Sequence, residues 1–487
     1  LSAAQAGLKT KDFANLELAW ALGFPKATTM RSQPAIVGST LFLPVADAQS
    51  VFAIDIDGPP CVKWVYKTDA PMRSSANYGE LPGSKRKVVV VADTGVTVHM
   101  LDAATGELVW KRYVGLYDMS LTTGTPVLYK DRVYVPISQY EITIGGDPKH
   151  LCCTSHGAVT ALNATTGEPV WTAHTMPEAK PIRDRGDGQM IWGPSGAPIW
   201  NSPSIDEKRG VLYVGTGEAT SEPAHEHTDS VMAIDLKDGT IRWSYQATAN
   251  DIFLSACGRG GGLNCPKSTV YRDVDFGAST ILAKRSNGKD IVLAGQKAGS
   301  LFAFDPDQNG KVLWQQDFGE GSPLGGIHWG IATDGVRVFA PINRPYGFTP
   351  GKQDPNQKPG LHAVSIDTGQ VLWTYVAEPN CDGDREKRVR GCKANIGLSA
   401  APAVIDGAVV TGSIDGILRV FDAKTGAVLF SFDTARDFDT ANGVPGTGGA
   451  IDAASISAAH GLLFVSSGYG MFGQTPGNVL LAFKVKK

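Results

Sequence analysis

Two glutamates and a run of aspartates are the residues of this chain best suited to chemistry. Glu141 follows the apolar run DRVYVPISQY, and Glu218 follows GTG in VLYVGTGE. Each ends an alternating segment that reads as an innermost strand, so the pair is placed to converge on one cation, and hard oxygen donors of this kind suit Ca²⁺. Taken singly, either one reads as a solvated loop residue. A second group lies in the Gly-rich insertion from Ala249 to Thr280, which ends in Asp273-Val-Asp275. Carboxylates at the mouth of a strand are candidate bases, and the choice lies between Asp251, Asp273 and Asp275. Lys297 occupies the tight turn of AGQKAGS, while GGIHWG supplies His328 and Trp329.

Around these stand further candidates. Thr123, Ser138 and the adjacent Cys152 and Cys153 fall with Glu141 inside Leu121 to Gly157. A disulfide between neighbouring cysteines gives a rigid, polarisable surface on which a planar ring could lie; the alternative is two thiols that are free or paired elsewhere. Arg31 and Arg73 come just before or within inner-strand positions, where they line a central channel or a solvated rim. The His-Glu-His at 225–227 has i, i+2 spacing in a charged loop and no clear third ligand, so it reads as a solvated turn rather than a zinc site.

The elements that must position these groups are written as a repeat. Gly157 to Trp171, GAVTALNATTGEPVW, is an alternating apolar run, Ala-x-Asn, a turn ending in Thr-Gly, and a Trp four residues later. Strand, tight turn, strand is the reading. The pattern returns at Ser50–Trp64, Val96–Trp110, Ser230–Trp243, Ser300–Trp314, Leu361–Trp373 and Ile417–Phe430. An eighth copy is split: NVLLAFKVKK at the end of the chain has the first half, and LELAW near its start has Trp20. Copies about 45 to 70 residues apart suit one four-stranded sheet each, hence an all-β, eight-bladed β-propeller whose last blade is closed by both termini. In such a ring, the Ala lets a neighbouring sheet approach and the Trp covers the gap between blades, its N–H free to reach a carbonyl. Trp192, Trp200 and Trp329 fall outside the pattern. The ring is expected to form a single domain over residues 1–487.

Composition agrees. The 487 residues include 57 Gly and 29 Pro, 42% are hydrophobic, and the net charge is −3, as in a turn-rich globule with ample core. Without a basic block, nucleic acid is not an expected partner. No apolar run reaches the roughly 18 residues of a membrane span. The first residues form no charged-then-apolar leader, as expected of a mature or trimmed chain. Among seven cysteines, Cys257 with Cys265 and Cys381 with Cys392 close short polar loops, as disulfides in an oxidising compartment do, and Cys61 is left over. No CxxCH motif is present for covalent haem attachment.

Together these residues resemble the eight-bladed quinoprotein alcohol dehydrogenases, which hold pyrroloquinoline quinone (PQQ) and calcium at the centre of the ring. Within that group the chain is most similar to the polyvinyl alcohol dehydrogenase family, through LAWALGFPKATTMRSQP, CCTSHGAVTALNATTG and the CP…DVDFGAS segment. The resemblance implies that Glu141 is the calcium-binding Glu, that Thr123 and Ser138 hydrogen-bond the quinone, and that Trp200 stacks under its plane. Glu218 sits where methanol dehydrogenases usually have an Asn metal ligand, which makes the cation site more anionic. Asp275 matches the catalytic Asp and a metal ligand, and Lys297 the residue at the reactive carbonyl edge. Arg73, Cys152, Cys153 and Trp329 complete the expected cofactor contacts. Gly277 stands where lanthanide-dependent enzymes carry a further Asp, which favours calcium.

The implied reaction is oxidation of an alcohol to a ketone or aldehyde, with Asp275 taking the hydroxyl proton and a cytochrome c removing electrons. The expected substrate is a secondary hydroxyl of polyvinyl alcohol or another bulky polyol. A PQQ sugar or small-alcohol dehydrogenase and a cofactor-free binding scaffold are the alternatives. The family resemblance and the cysteine pattern place the protein in the periplasm or outside the cell.

Overall fold

The computed structural model describes residues 1–257, 261–267, 271–319, 321–344 and 358–486. Eight antiparallel sheets of four main strands follow one another along the chain. The first comprises Ala35–Val37, Thr40–Val45, Ser50–Asp55 and Cys61–Lys67, and the pattern repeats through the seventh, Ala403–Ile405 to Val428–Asp433. The eighth is made from both ends of the chain: Ile456–Ala459, Leu462–Ser467 and Val479–Val485 are joined by Leu16–Gly23, which pairs with Val479–Val485.

The repeat is visible as one geometric device. In each blade the register of the last two strands slips by a residue, and just beside that bulge a small or slender residue faces the aromatic. Ala53 lies opposite Trp64, Ala161 opposite Trp171, Ala233 opposite Trp243, and Ala363 opposite Trp373. The bulge turns the indole outward from its own sheet. It lands on the turn glycine of the next blade: a Cβ on Gly106, Gly167 or Gly239 would lie within 2.8 Å of the ring of Trp64, Trp110 or Trp171. These glycines also carry φ of +73 to +78, a conformation that costs them nothing. The indole N–H then donates to a carbonyl of that same turn, as Trp110 does to Ala164 at 2.9 Å and Trp373 to Ala423 at 3.0 Å. The preceding Asp or Asn builds the turn, Asn163 Oδ1 accepting from the N–H of Thr165 and Thr166 at 2.9 and 3.0 Å.

Blade faces pack as paired apolar layers. Val90, Val98 and Met100 of the second blade meet Val133, Val135 and Ile137 of the third, all fully buried. Cys257–Cys265 and Cys381–Cys392 are disulfide-bonded, Cys152 is bonded to Cys153, and Cys61 is free and exposed. No helix of the described residues is long and apolar enough to cross a membrane.

Candidate active site

The chemically suited residues converge because each occupies one of two equivalent places in its blade. Trp200 and Asp275 lie on segments entering a first strand, Ser204–Asp206 and Ile281–Lys284, while Glu218 and Lys297 follow second strands, Val211–Gly215 and Asp290–Gly295. Both places face the ring axis. There a cavity of about 680 Å³ is lined by Arg73, Thr123, Ser138, Trp200, Glu218 and Asp275, and also by Asp273, Lys297, His328 and Trp329.

Its floor is an acid cluster with one amine. Glu218, Asp273 and Asp275 each bring a carboxylate oxygen within 4.8 Å of the others. Lys297 Nζ is paired with Asp273 and lies 3.2 Å from Asp275 Oδ2. The Trp200 indole N–H donates to that same Oδ2 at 2.7 Å, and the Glu218 backbone N–H reaches Asp275 Oδ1 at 3.3 Å. Burial alone would push Asp275 up, but the Lys297 charge and the hydrogen bonds outweigh it and hold the carboxyl below its usual range. Burial, reinforced by Asp275, pushes Glu218 well up. Burial also raises Asp273, against the pull of Lys297. Both oxygens of Glu218 are buried without a hydrogen-bond partner. An uncompensated buried carboxylate is costly, and a cation is the partner that removes the cost.

Two glycines make this crowding possible. A Cβ on Gly217 would sit 2.8 Å from the Asp275 carboxyl carbon, and one on Gly277 would sit 1.8 Å from the Trp200 ring. The Gly277 position therefore has no room for a further Asp while Trp200 keeps its place.

Above the floor the walls are aromatic and cationic. Trp200 meets Trp329 and His328 edge-on, at centroid distances of 5.5 and 5.7 Å, and His328 stacks on Trp329 at 4.3 Å. Arg31 lies over Trp329 at 4.9 Å. The Nε atoms of Arg31 and Arg73 are buried without a partner, and burial together with Arg31 pushes Arg73 down to about 9. Two such guanidinium groups, stacked among rings, fit the acid groups of a flat anionic ligand.

Three expectations change. Glu141 does not meet Glu218, and neither residue ends an innermost strand, since both follow the second strand of their blades. Glu141 begins the short helix Glu141–Ile144, with its carboxylate turned away from the cavity. It accepts from the N–H groups of Thr154 and Ser155 at 2.9 and 2.8 Å, from Ser155 Oγ at 2.6 Å and from His150 Nε2 at 2.9 Å. Its acceptor capacity is already used. The Cys152–Cys153 disulfide lies outside the cavity lining as well, buried against Leu254. Asp251 accepts from the N–H of Arg272 at 2.8 Å and of Val274 at 3.4 Å, so it shapes the Asp273–Asp275 segment rather than facing the cavity.

Gln139 was not singled out in the sequence. It lines the cavity with its Nε2 buried and unpartnered, and its position two residues before Glu141 was the available signal.

Residues 3–254 match the family described as PQQ: Glucose/ethanol/alcohol dehydrogenase, beta-propeller domain. The chain is also 33% identical to the polyvinylalcohol dehydrogenase of Sphingopyxis sp. (strain 113P3), over 98% of this chain and 73% of that one. The chain belongs to the quinoprotein alcohol dehydrogenases. A Pseudomonas sp. polyvinylalcohol dehydrogenase is 32% identical, over 98% of this chain and 74% of its own length. Residues 297–448 match a second propeller family, described as outer membrane protein assembly factor BamB. Among solved structures, a europium-containing methanol dehydrogenase shares the fold with a TM-score of 0.71, at 17% identity over 99% of this chain and 96% of that one. The quinohemoprotein alcohol dehydrogenase from Comamonas testosteroni does so with a TM-score of 0.68, at 19% identity over 98% and 78%. A quinoprotein alcohol dehydrogenase is an enzyme whose family implies PQQ. The two arginines with unpartnered Nε atoms, the indole faces and the orphaned Glu218 oxygens fit that group and a cation beside it.

Proposed function

We propose that this quinoprotein oxidises secondary hydroxyls of a bulky or polymeric alcohol to ketones, using PQQ and Ca²⁺ in the axial cavity and passing electrons to a cytochrome c. The observation that carries the reading is the buried cluster of Glu218, Asp273, Asp275 and Lys297 beside the Trp200 indole. When bound, PQQ supplies a two-electron acceptor and the cation an electrophile. Arg73, with Arg31 nearby, would hold the acid groups of the cofactor, Thr123 and Ser138 would offer it hydrogen bonds, and Trp200 would support its ring system. Glu218 and Asp273 supply hard oxygen ligands, which favour Ca²⁺ over a nitrogen-seeking metal. Asp275 stays ionised and receives the hydroxyl proton of the alcohol at its carboxylate. Lys297 steadies that charge and would offer its amine to the cofactor from the cavity floor.

The substrate class is supported by the lining. Tyr140, Ile142, Phe253, Leu324 and Phe472 give the cavity apolar groups suited to a hydrocarbon backbone that carries hydroxyls. Polyvinyl alcohol is the substrate named for the two relatives, and it has this chemistry. A sugar, polar on every face, suits such groups less well. The three disulfides support a periplasmic or secreted location.

The test is reconstitution of the purified chain with PQQ and Ca²⁺, with dye reduction followed on 2-propanol, a secondary diol, glucose and polyvinyl alcohol. Turnover that needs both additions and is fastest on the polymer or diol is the expected result. Preference for glucose or a small primary alcohol transfers the assignment to a sugar or small-alcohol dehydrogenase. Failure to bind PQQ with Ca²⁺ present overturns the site reading itself.

A further inference from the structure

Four of the nine histidines of the chain gather at one place outside the cavity lining, where the third blade meets the fourth. His156 is buried at the start of Ala158–Asn163, and His174 is exposed at the end of Pro169–His174. Their rings meet edge to face, with His156 Nε2 2.9 Å from His174 Nδ1. A carboxylate oxygen of Glu178 lies within 4.8 Å of a ring nitrogen of each histidine. From the fourth blade, the His225 and His227 rings meet edge to face at 4.8 Å, and His227 Nδ1 is 2.7 Å from the carbonyl of Thr175, the residue next to His174. The His-Glu-His stretch, a solvated turn in the sequence reading, thus borders a histidine cluster.

Tyr117 organises the centre. Its hydroxyl donates to Glu178 Oε1 at 3.2 Å and lies against the edge of the His156 ring, 2.9 Å from Nε2 and 3.1 Å from Nδ1. A hydroxyl that spends its hydrogen on Glu178 can only accept from the imidazole, so one oxygen braces both the ring and the carboxylate. His156 Nε2 and His174 Nδ1 face each other at 2.9 Å, a separation that needs a proton or a cation between them. A ligating imidazole whose second nitrogen is held by an oxygen, beside a carboxylate oriented by the same hydroxyl, is the arrangement found around imidazole-bound metals.

We propose that His156, His174 and Glu178 form a second metal site, selective for a divalent transition ion and separate from the all-oxygen cluster of the cavity. Two imidazoles and one carboxylate leave a fourth position for water, the tetrahedral pattern of zinc. Nitrogen donors select this class against Ca²⁺, so the two sites sort their ions by chemistry. The ion ties the edge of the third blade to the segment that carries Glu178 onward toward Trp200.

The test uses chelator-treated full-length chain and Co²⁺, whose tetrahedral visible bands report nitrogen ligation. One Co²⁺ per chain, displaced by Zn²⁺ but not by Ca²⁺, is expected. The exposed His174→Ala should abolish the bands, Tyr117→Phe should weaken binding about 10-fold, and Glu218→Gln with Asp273→Asn should leave it unchanged. The proposal is overturned if no bands appear at millimolar Co²⁺, if His174→Ala binds as the parent does, or if the cavity variant loses the bands. The first of these results would mean that His156 simply donates Nε2–H to His174 in an ordinary hydrogen bond.

Discussion

At the scale of single residues, the cavity works by leaving selected groups short of partners. Asp275 has three donors and Glu218 has none, so the first is a fixed charge and the second awaits a cation. Replacing Asp275 with Asn removes the proton acceptor while keeping the shape. A fall in kcat of about 10² to 10⁴-fold is expected, with PQQ affinity, followed by indole fluorescence quenching, little changed. Gly277→Ala acts differently, since its Cβ would fall 1.8 Å from the Trp200 ring. It should displace the indole and be read as lost cofactor affinity.

What could be read from the sequence divides along the same line. Glu218 and Lys297 could be placed at the cavity from the sequence because each follows a strand whose direction the repeat already determines, whereas Trp200, outside the repeat, was placed there by the family resemblance. Glu141 follows such a strand too. Its carboxylate turns back because Thr154 and Ser155 present two N–H groups to it, and that return of the chain is set by long-range packing with no local signature. The Cys152–Cys153 pair was misplaced for a related reason: Leu254, about a hundred residues later, covers it.

At the scale of elements, the bulge, the indole and the turn glycine form one joint per blade. Trp314 is buried, at 9% exposure, and lies over Gly369 while donating to the Ile366 carbonyl at 3.1 Å. Trp314→Ala should cost about 3 kcal/mol, measured by denaturant unfolding. The sixth blade contains a pH-sensitive element as well. His362, 3% exposed, has Nε2 2.8 Å from the Lys358 carbonyl, and burial pushes it down to about 4. The unfolded chain takes up this proton near pH 6.5, whereas the folded chain does so only near 4. Stability is therefore complete above 6.5 and falls as the pH drops through this window, by about 3 kcal/mol. Thermal melts of His362→Gln should show a flatter decline between these values.

At the scale of the whole molecule, the number of blades was legible because the joint is written in nearly every copy. Spacing alone would not have sufficed, since the intervening loops vary so much in length. The eighth blade depends on Leu16–Gly23, whose pairing with Val479–Val485 runs from Leu16 opposite Val485 to Gly23 opposite Val479. Deleting Leu1–Gly23 leaves Val479–Val485 as an open edge and uncovers Phe483. A lower melting temperature and self-association on size-exclusion chromatography are the expected outcomes.

The same pairing has a consequence in time. During synthesis Leu16–Gly23 leaves the ribosome before the strands of the first seven blades, and its partner Val479–Val485 leaves after them. Seven blades can stack behind it while that early segment stays unpaired, held in waiting until Val479–Val485 emerges. The circle closes in a single late event that every earlier blade must anticipate, and a chaperone or an export channel that shields the leading segment would act on this protein at its most exposed stage.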